Sequence, residues 1–292
     1  MTAFTADEAA CCRKLTELAL TEDLGLTGDR TSEALIPPDQ EAQASFVARR
    51  HGVIAGLTAA QMVCQAVQST LRFHPLIPDG SKVTPGVVIA TLSGSLRGIL
   101  AAERTALNFL QHLSGIATLT AQYVEAVHGT RAKVLDTRKT LPGYRLLAKY
   151  AVRQGGGYNH RIGLYDGILI KDNHIAGLSR SAHPIIEAVE RARSHPGNAG
   201  LVVEIEVDSL EQFEEALQIT PEIVLLDNMP PDMLRQAVAL RDSRAPQVLL
   251  EASGGVNLDT IAAIAATGVD RISVGALTHS APSLDIGLDY GA

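Results

Sequence analysis

Nine basic side chains fall between residues 136 and 174, in DTRKTLPGYRLLAKYAVRQGGGYNHRIGLYDGILIKDNH, although the chain as a whole carries a net charge of −7. Arginine presents a planar fork that matches a carboxylate or phosphate, and lysine presents a compact charge. Arg138, Lys139, His160, Arg161 and Lys171 therefore suggest a pocket for an anion with several negative groups. Lys171 carries the most weight, because it ends the apolar run GILI. Arg145, Lys149 and Arg153 recur at i, i+4 and i+8, and read as one solvated helix face.

A second set is acidic. Glu204 and Glu206 share one face of LVVEIEV at i and i+2. A carboxylate buried on that face needs a partner, since an unpaired buried charge is very costly. A metal cation or the Lys171 ammonium could serve, and a structural salt bridge is the plainer alternative. Asp227, ending EIVLLD, follows the same logic. Both acids suit Mg²⁺ coordination, through water or directly, or hydrogen bonds to ribose hydroxyls.

These groups need strands to carry them. Short apolar runs at 133–136, 167–171, 201–207, 222–228, 247–255 and 271–276 alternate with helical segments, the pattern of βα units in a parallel sheet. Each run stops in a polar residue or glycine. Chemistry gathered at every strand end favours a barrel-like sheet over a doubly wound one, which concentrates it at a single switch point. Ser253-Gly254-Gly255 and Val274-Gly275-Ala276 close successive late strands, where glycines leave backbone N–H groups open to a phosphate. Residues 7–20 read as a helix that Asp7 can cap, 44–56 as a hairpin or strand pair, and 101–127 as a long helical bridge that Gly115 could split.

Composition excludes several classes. A hydrophobic share of 46% supports a sizeable core, and aromatics at 4% without tryptophan give no base-stacking platform. The acidic balance argues against non-specific nucleic-acid binding. No G-x-G-x-x-G follows a first strand, so no dinucleotide site is expected. No apolar run reaches the roughly 18 residues of a membrane span, and the first residues lack the basic and apolar regions of a signal peptide. Cys11, Cys12 and Cys64 have no metal or disulfide spacing and read as reduced thiols in the cytoplasm. His51, His74, His112, His128, His183, His195 and His279 lack ligand spacing. Glu103-Arg104 taken alone reads as a helix-face ion pair.

The long basic stretch closely resembles the signature of the quinolinate phosphoribosyltransferase family. The likeness extends over nearly the whole chain: ALTEDLGLTGDRTS, ERTALNFLQHLSGIATLT, VEIEV, LLDNM, EASGGVN and DRISVGALTHSAPSLDIGLDY resemble its other segments. Tyr144 after PG and Gly287 in LDIGLD depart from the pattern, and neither is an expected ligand. The resemblance implies a type II phosphoribosyltransferase fold of class α/β. An N-terminal α/β sandwich spans 1–110, an incomplete α/β barrel spans 111–276, and the tail 277–292 returns to the first domain.

It also implies transfer of phosphoribosyl from phosphoribosyl pyrophosphate to quinolinate with decarboxylation, giving nicotinate mononucleotide, pyrophosphate and CO₂. Mg²⁺ is implied, held by Glu204 and Asp227, with no organic cofactor. Lys139, Lys171, Glu204 and Asp227 are the expected catalytic residues. Arg104, Thr137, Arg138, His160, Arg161, Ser253, Gly254, Gly255, Val274, Gly275 and Ala276 join them in binding substrate. A cytoplasmic homodimer is implied, with Arg104 reaching the neighbouring subunit's pocket and room for a larger assembly. The alternatives are a related phosphoribosyltransferase acting on another anionic ring, and a non-catalytic barrel that binds phosphorylated metabolites.

Overall fold

The computed structural model describes residues 4–178 and 181–291. The chain divides into two compact units. One contains the residues up to Ala121, Thr140–Gly156 and those from Leu277 onward; the other contains Gln122–Lys139 and Gly157–Ala276.

The first unit opens with the helix Ala6–Leu24. Its cap is Thr5 and not Asp7: the Thr5 hydroxyl accepts from the Glu8 amide at 3.2 Å, and the Glu8 carboxylate accepts from the Thr5 amide at 2.8 Å. Extended backbone at Thr5 aims its side chain back at the first turn, the reciprocal arrangement of a capping box. Strands β1 (Glu41–Ala48), β2 (Gly52–Val53), β3 (Arg72–Pro75), β4 (Lys82–Val83) and β5 (Val88–Ser95) follow. β5 lies between β1 and β3, and all pair antiparallel. Segment 44–56 does not fold back as a hairpin, because β2 pairs with β4 in a separate sheet. Phe46, Ile89 and Leu92 are fully buried beneath the larger sheet, each contributing about 1.5–3 kcal/mol by leaving water.

The helix Leu96–Ala126 is continuous through Gly115, so the expected break is absent. A side chain at Gly115 would collide with the carbonyl of Pro282 in the returning C-terminal segment. The glycine thus serves close packing. Gly115→Ala is expected to destabilise the fold by about 1–3 kcal/mol, the usual range for overpacking; the urea midpoint measures it. The boundary expected near residue 110 falls inside this helix, which packing assigns to the first unit through Ala121.

The helix Arg145–Gln154 corrects the reading of a solvated basic face. Leu147, Ala148, Tyr150, Ala151 and Val152 are buried, and Lys149 is only 2% exposed. Arg153 pairs with Glu8 at 2.7 Å and lies over the Tyr150 ring. Arg145 donates to the Thr140 hydroxyl at 3.2 Å. A helix covered on nearly all sides must turn its charges inward, where each needs a partner.

The second unit is a parallel six-stranded sheet: β6 (Lys133–Leu135), β7 (Ile168–Ile170), β8 (Val203–Val207), β9 (Ile223–Asp227), β10 (Leu249–Ser253) and β11 (Arg271–Ser273). Their order is β6-β11-β10-β9-β8-β7, with β6 and β7 at the two edges. This is the incomplete α/β barrel that the family resemblance implies, built on the six apolar runs. Helices Pro184–Ser194, Leu210–Ile219 and Pro231–Arg244 separate its middle strands. Strand β9 is a continuous run of buried apolar residues up to Asp227, as a strand covered on both faces must be, whereas β8 and β10 carry Glu204, Glu206 and Glu251 among their apolar positions. The last strand, β12 (Ile286–Tyr290), leaves this unit and pairs antiparallel with β1 in the first.

Candidate active site

A cavity of about 630 Å³ opens at the C-terminal ends of the six parallel strands. Its lining draws on every strand end. Thr137, Arg138 and Lys139 follow β6, Lys171 follows β7, and Glu206 lies on β8. Asp227 and Asn228 close β9; Ser253, Gly254 and Gly255 close β10; Ser273 closes β11. His160 and Arg161 enter from the loop before β7.

The cavity is cationic on one side and acidic on the other. Burial and the neighbouring Arg138 push the Arg161 guanidinium below its usual range. Two guanidiniums held close enough to oppose each other gain from a bound polyanion. Lys171 donates to Glu206 at 2.5 Å, joining the two sides. Gly254 has φ +93°, and a side chain there would collide with that of Asn228. Asn228 itself has φ 54° and donates to Asp227 at 2.7 Å. The glycine is therefore required both by its backbone angle and by its neighbour.

Several expected ligands lie elsewhere. Glu204 does not line this cavity: it is 3% exposed and sits one inward position deeper than Glu206 on β8. Strand alternation placed the two acids on one face but carried no information on depth. Val274, Gly275 and Ala276 are also absent from the lining. The Val274 amide is spent on the Leu135 carbonyl at 2.9 Å, so it has no hydrogen to offer a phosphate. Arg104 lies exposed on the Leu96–Ala126 helix of the first unit. In their place the structure brings in Glu206, Asn228 and Ser273, together with Glu251. The i, i+2 alternation of LLEAS does put Glu251 on the same face as Ser253, a signal open to sequence reading.

A polar cluster runs from the cavity wall, where His160 and Glu251 line it, inward to the buried Glu204. His160 Nε2 is 3.0 Å from Glu204 Oε2 and 3.3 Å from Glu251 Oε1, and Arg271 donates to Glu251 Oε2 at 2.6 Å. Burial lowers the proton affinity of the His160 ring, but its contacts to Glu204 and Glu251 outweigh this and push it up to about 9. The other ring nitrogen opposes that charge. His160 Nδ1 accepts the Arg161 amide at 2.8 Å, and a protonated Nδ1 would face that N–H donor to donor. In this arrangement the hydrogen bond decides, and the ring is the neutral Nε2–H tautomer. Burial and Glu251 raise Glu204, whereas the His160 and Arg271 contacts outweigh burial and lower Glu251.

His160, Glu204 and Glu251 form the one candidate metal cluster among the described residues. A metal on Nε2 would require a hydrogen on Nδ1 and an acceptor for it. The Arg161 amide is a donor, so the cluster does not fit a metal. Glu206 and Asp227, oxygen ligands lining the upper cavity, fit Mg²⁺ better.

Fold and cavity together define an α/β-barrel protein with a cation-lined cavity at its strand ends, where enzymes of this architecture carry their chemistry. The quinolinate phosphoribosyl transferase C-terminal domain matches residues 116–289, and its N-terminal domain matches residues 29–114. A nicotinate-nucleotide pyrophosphorylase (carboxylating) of Mycobacterium leprae is 48% identical over 93% of this chain and 94% of its own length. A probable enzyme of the same name from Bacillus subtilis is 42% identical over 95% and 92%. The crystal structure of NadC from Streptococcus pyogenes superposes with a TM-score of 0.90 at 41% identity, covering 100% of both chains.

The chain belongs to the quinolinate phosphoribosyltransferase family. Its activity is that of the decarboxylating phosphoribosyltransferase of NAD biosynthesis.

Proposed function

We propose that the strand-end cavity binds quinolinate and phosphoribosyl pyrophosphate side by side and joins them with loss of CO₂. The observation that carries this reading is the division of one 630 Å³ cavity into a cationic side and an acidic, glycine-rich side. Arg138, Arg161 and Lys171 hold the two quinolinate carboxylates. Each charge-assisted hydrogen bond contributes about 1.5–3 kcal/mol, so several together fix one ring orientation. Thr137, Ser253, Gly254 and Gly255 receive phosphate oxygens, and Lys139 neutralises their charge.

Asp227 and Glu206 hold the ribose hydroxyls and would hold Mg²⁺; Glu206 takes the role expected of Glu204. When bound, the metal supplies charge neutralisation for the leaving pyrophosphate. The ring nitrogen attacks C1 of the sugar as pyrophosphate departs. The positive charge of the quaternised nitrogen then stabilises the electron pair left on the adjacent ring carbon as the carboxylate departs as CO₂, and a proton from solvent takes its place on that carbon. The protein contributes position and electrostatics.

Arg104 is assigned to a partner subunit's cavity in a homodimer. Supporting this, an apolar groove lined by Leu18, Phe109, Leu141 and Tyr144 adjoins the same helix, with Leu18 65% and Leu141 53% exposed. Such a surface gains from a covering copy. We place the enzyme in the cytoplasm, a reading supported by its three free cysteines. No helix among the described residues is long and apolar enough to cross a membrane.

One assay tests the reaction: quinolinate, phosphoribosyl pyrophosphate and Mg²⁺, following CO₂. Stoichiometric release is expected. Turnover of nicotinate in place of quinolinate would point to a different anionic ring, and binding without turnover to a sensor.

A further inference from the structure

The basic stretch closes on Lys171-Asp172-Asn173-His174, and its histidine does not line the cavity. Lys171 stands just past the last ladder pair of β7, which joins Ile170 to Ile205. β7 is an edge strand, with β8 as its neighbour in the sheet. The Lys171 N–H therefore lies beyond the ladder, and a backbone donor without a strand needs another acceptor. His174 supplies it: ring Nδ1 accepts the Lys171 amide at 2.9 Å.

The helix returns the contact. The Lys171 carbonyl accepts the His174 amide at 2.8 Å and the Ile175 amide at 3.1 Å, the bonds that open the helix Asp172–Ala176. Lys171 is thus the cap of this helix. His174 takes the place from which a Glu or Gln side chain reaches back in a capping box. An imidazole that accepts at Nδ1 carries its hydrogen on Nε2. Together these bonds hold Lys171 extended, at φ −117° and ψ 166°, with its ammonium on Glu206 at 2.5 Å.

The cap matters because little else fixes this junction. A five-residue helix is too short to sustain itself. Lysine is a compact charge on a flexible four-carbon stem, so a loose backbone would spread that charge over many positions. His174 is exposed, and its ring adds little to the core.

We propose that His174 is a positioning residue for quinolinate binding: its Nδ1 fixes the Lys171 backbone where β7 passes into the following helix, so that the ammonium meets the substrate carboxylate from one starting point. This rests on the assignment of Lys171 to quinolinate made above. His174 touches no substrate and acts through Lys171.

His174→Ala removes the acceptor, and His174→Gln keeps one, since a Gln oxygen at this position can take the same amide. For His174→Ala the expected result is a rise of roughly 5- to 20-fold in the quinolinate KM, the scale of a lost helix cap. Its kcat and its phosphoribosyl pyrophosphate KM should stay within about twofold of wild type. His174→Gln should return the quinolinate KM to within about threefold. Hydrogen exchange at the Lys171 amide reads the contact itself. With nitrogen-labelled lysine, and the Lys171 signal identified by its absence from Lys171→Arg, exchange should be slow in wild type, faster in His174→Ala and slowed again in His174→Gln.

An unchanged quinolinate KM in His174→Ala overturns the proposal, as does an equal rise in both KM values. A Gln variant no better than Ala would show that the ring is needed for something other than this acceptor. A His174→Ala chain that fails to fold would assign the ring to stability and overturn the proposal too. Should wild type bind no quinolinate, the functional assignment fails, and Lys171 amide exchange still decides whether His174 holds that backbone.

Discussion

Lys171→Ala is expected to lower kcat/KM for quinolinate by about 100-fold or more, with the melting temperature nearly unchanged. Lys171 is exposed at the mouth of the cavity, so its removal leaves the core intact. Its ammonium bridges the two halves of the site, donating to Glu206 from the cationic side. Loss of the charge removes one substrate contact and also leaves Glu206 without its counter-charge. Contacts of this kind are worth about 1.5–3 kcal/mol each, and two of them together exceed a factor of 100. Steady-state kinetics and thermal denaturation on the same preparation check it. A folded variant with near-normal kcat/KM would remove the cationic side from the site.

The second large effect concerns sharing between subunits. Arg104→Ala and Lys171→Ala should each be nearly inactive alone, and a mixture of the two should regain activity. In a mixed dimer one cavity carries both defects, whereas the other joins an intact Lys171 to an intact Arg104 from the partner. Random exchange of equal amounts makes half the dimers mixed, with one good site in two. Recovery should therefore approach about a quarter of the wild-type rate. Activity measured after unfolding and refolding the variants together, against each refolded alone, reads this out. A mixture no better than its components would show that Arg104 is not shared.

What sequence could convey depended on what each pattern encodes. All six barrel strands were legible, because a short apolar run ending in charge or glycine marks both a buried strand and its functional end. The cavity-lining cations Arg138 and Lys171 were legible for the same reason, and Arg161 from the concentration of cations in the basic stretch. Glu204 and Glu206 show the limit: period-two alternation gives the face of a strand and says nothing about depth. Only the packed sheet shows that Glu206 reaches the cavity and that Glu204 stays buried behind His160. The helix Arg145–Gln154 shows a second limit. Helical spacing aligns its three cations, yet whether that face meets water depends on segments far away in the chain. Gly115 makes the same point, since its reason is a carbonyl at Pro282.

The pairing of β12 with β1 sets an order on synthesis. Ala44 through Ala48 pair with Tyr290 through Ile286, partners some 240 residues apart, and Gln111 bonds the Leu284 amide and the Ile286 carbonyl. The first sheet opens with β1 and closes only with β12, beyond the whole parallel sheet in sequence. Contacts of such sequence separation form late, after their loop-closure entropy has been overcome. During translation the outer edge of β1 stays bare while the entire parallel sheet is made, and a bare edge invites other strands. The nascent chain must keep that edge occupied or isolated until β12 emerges.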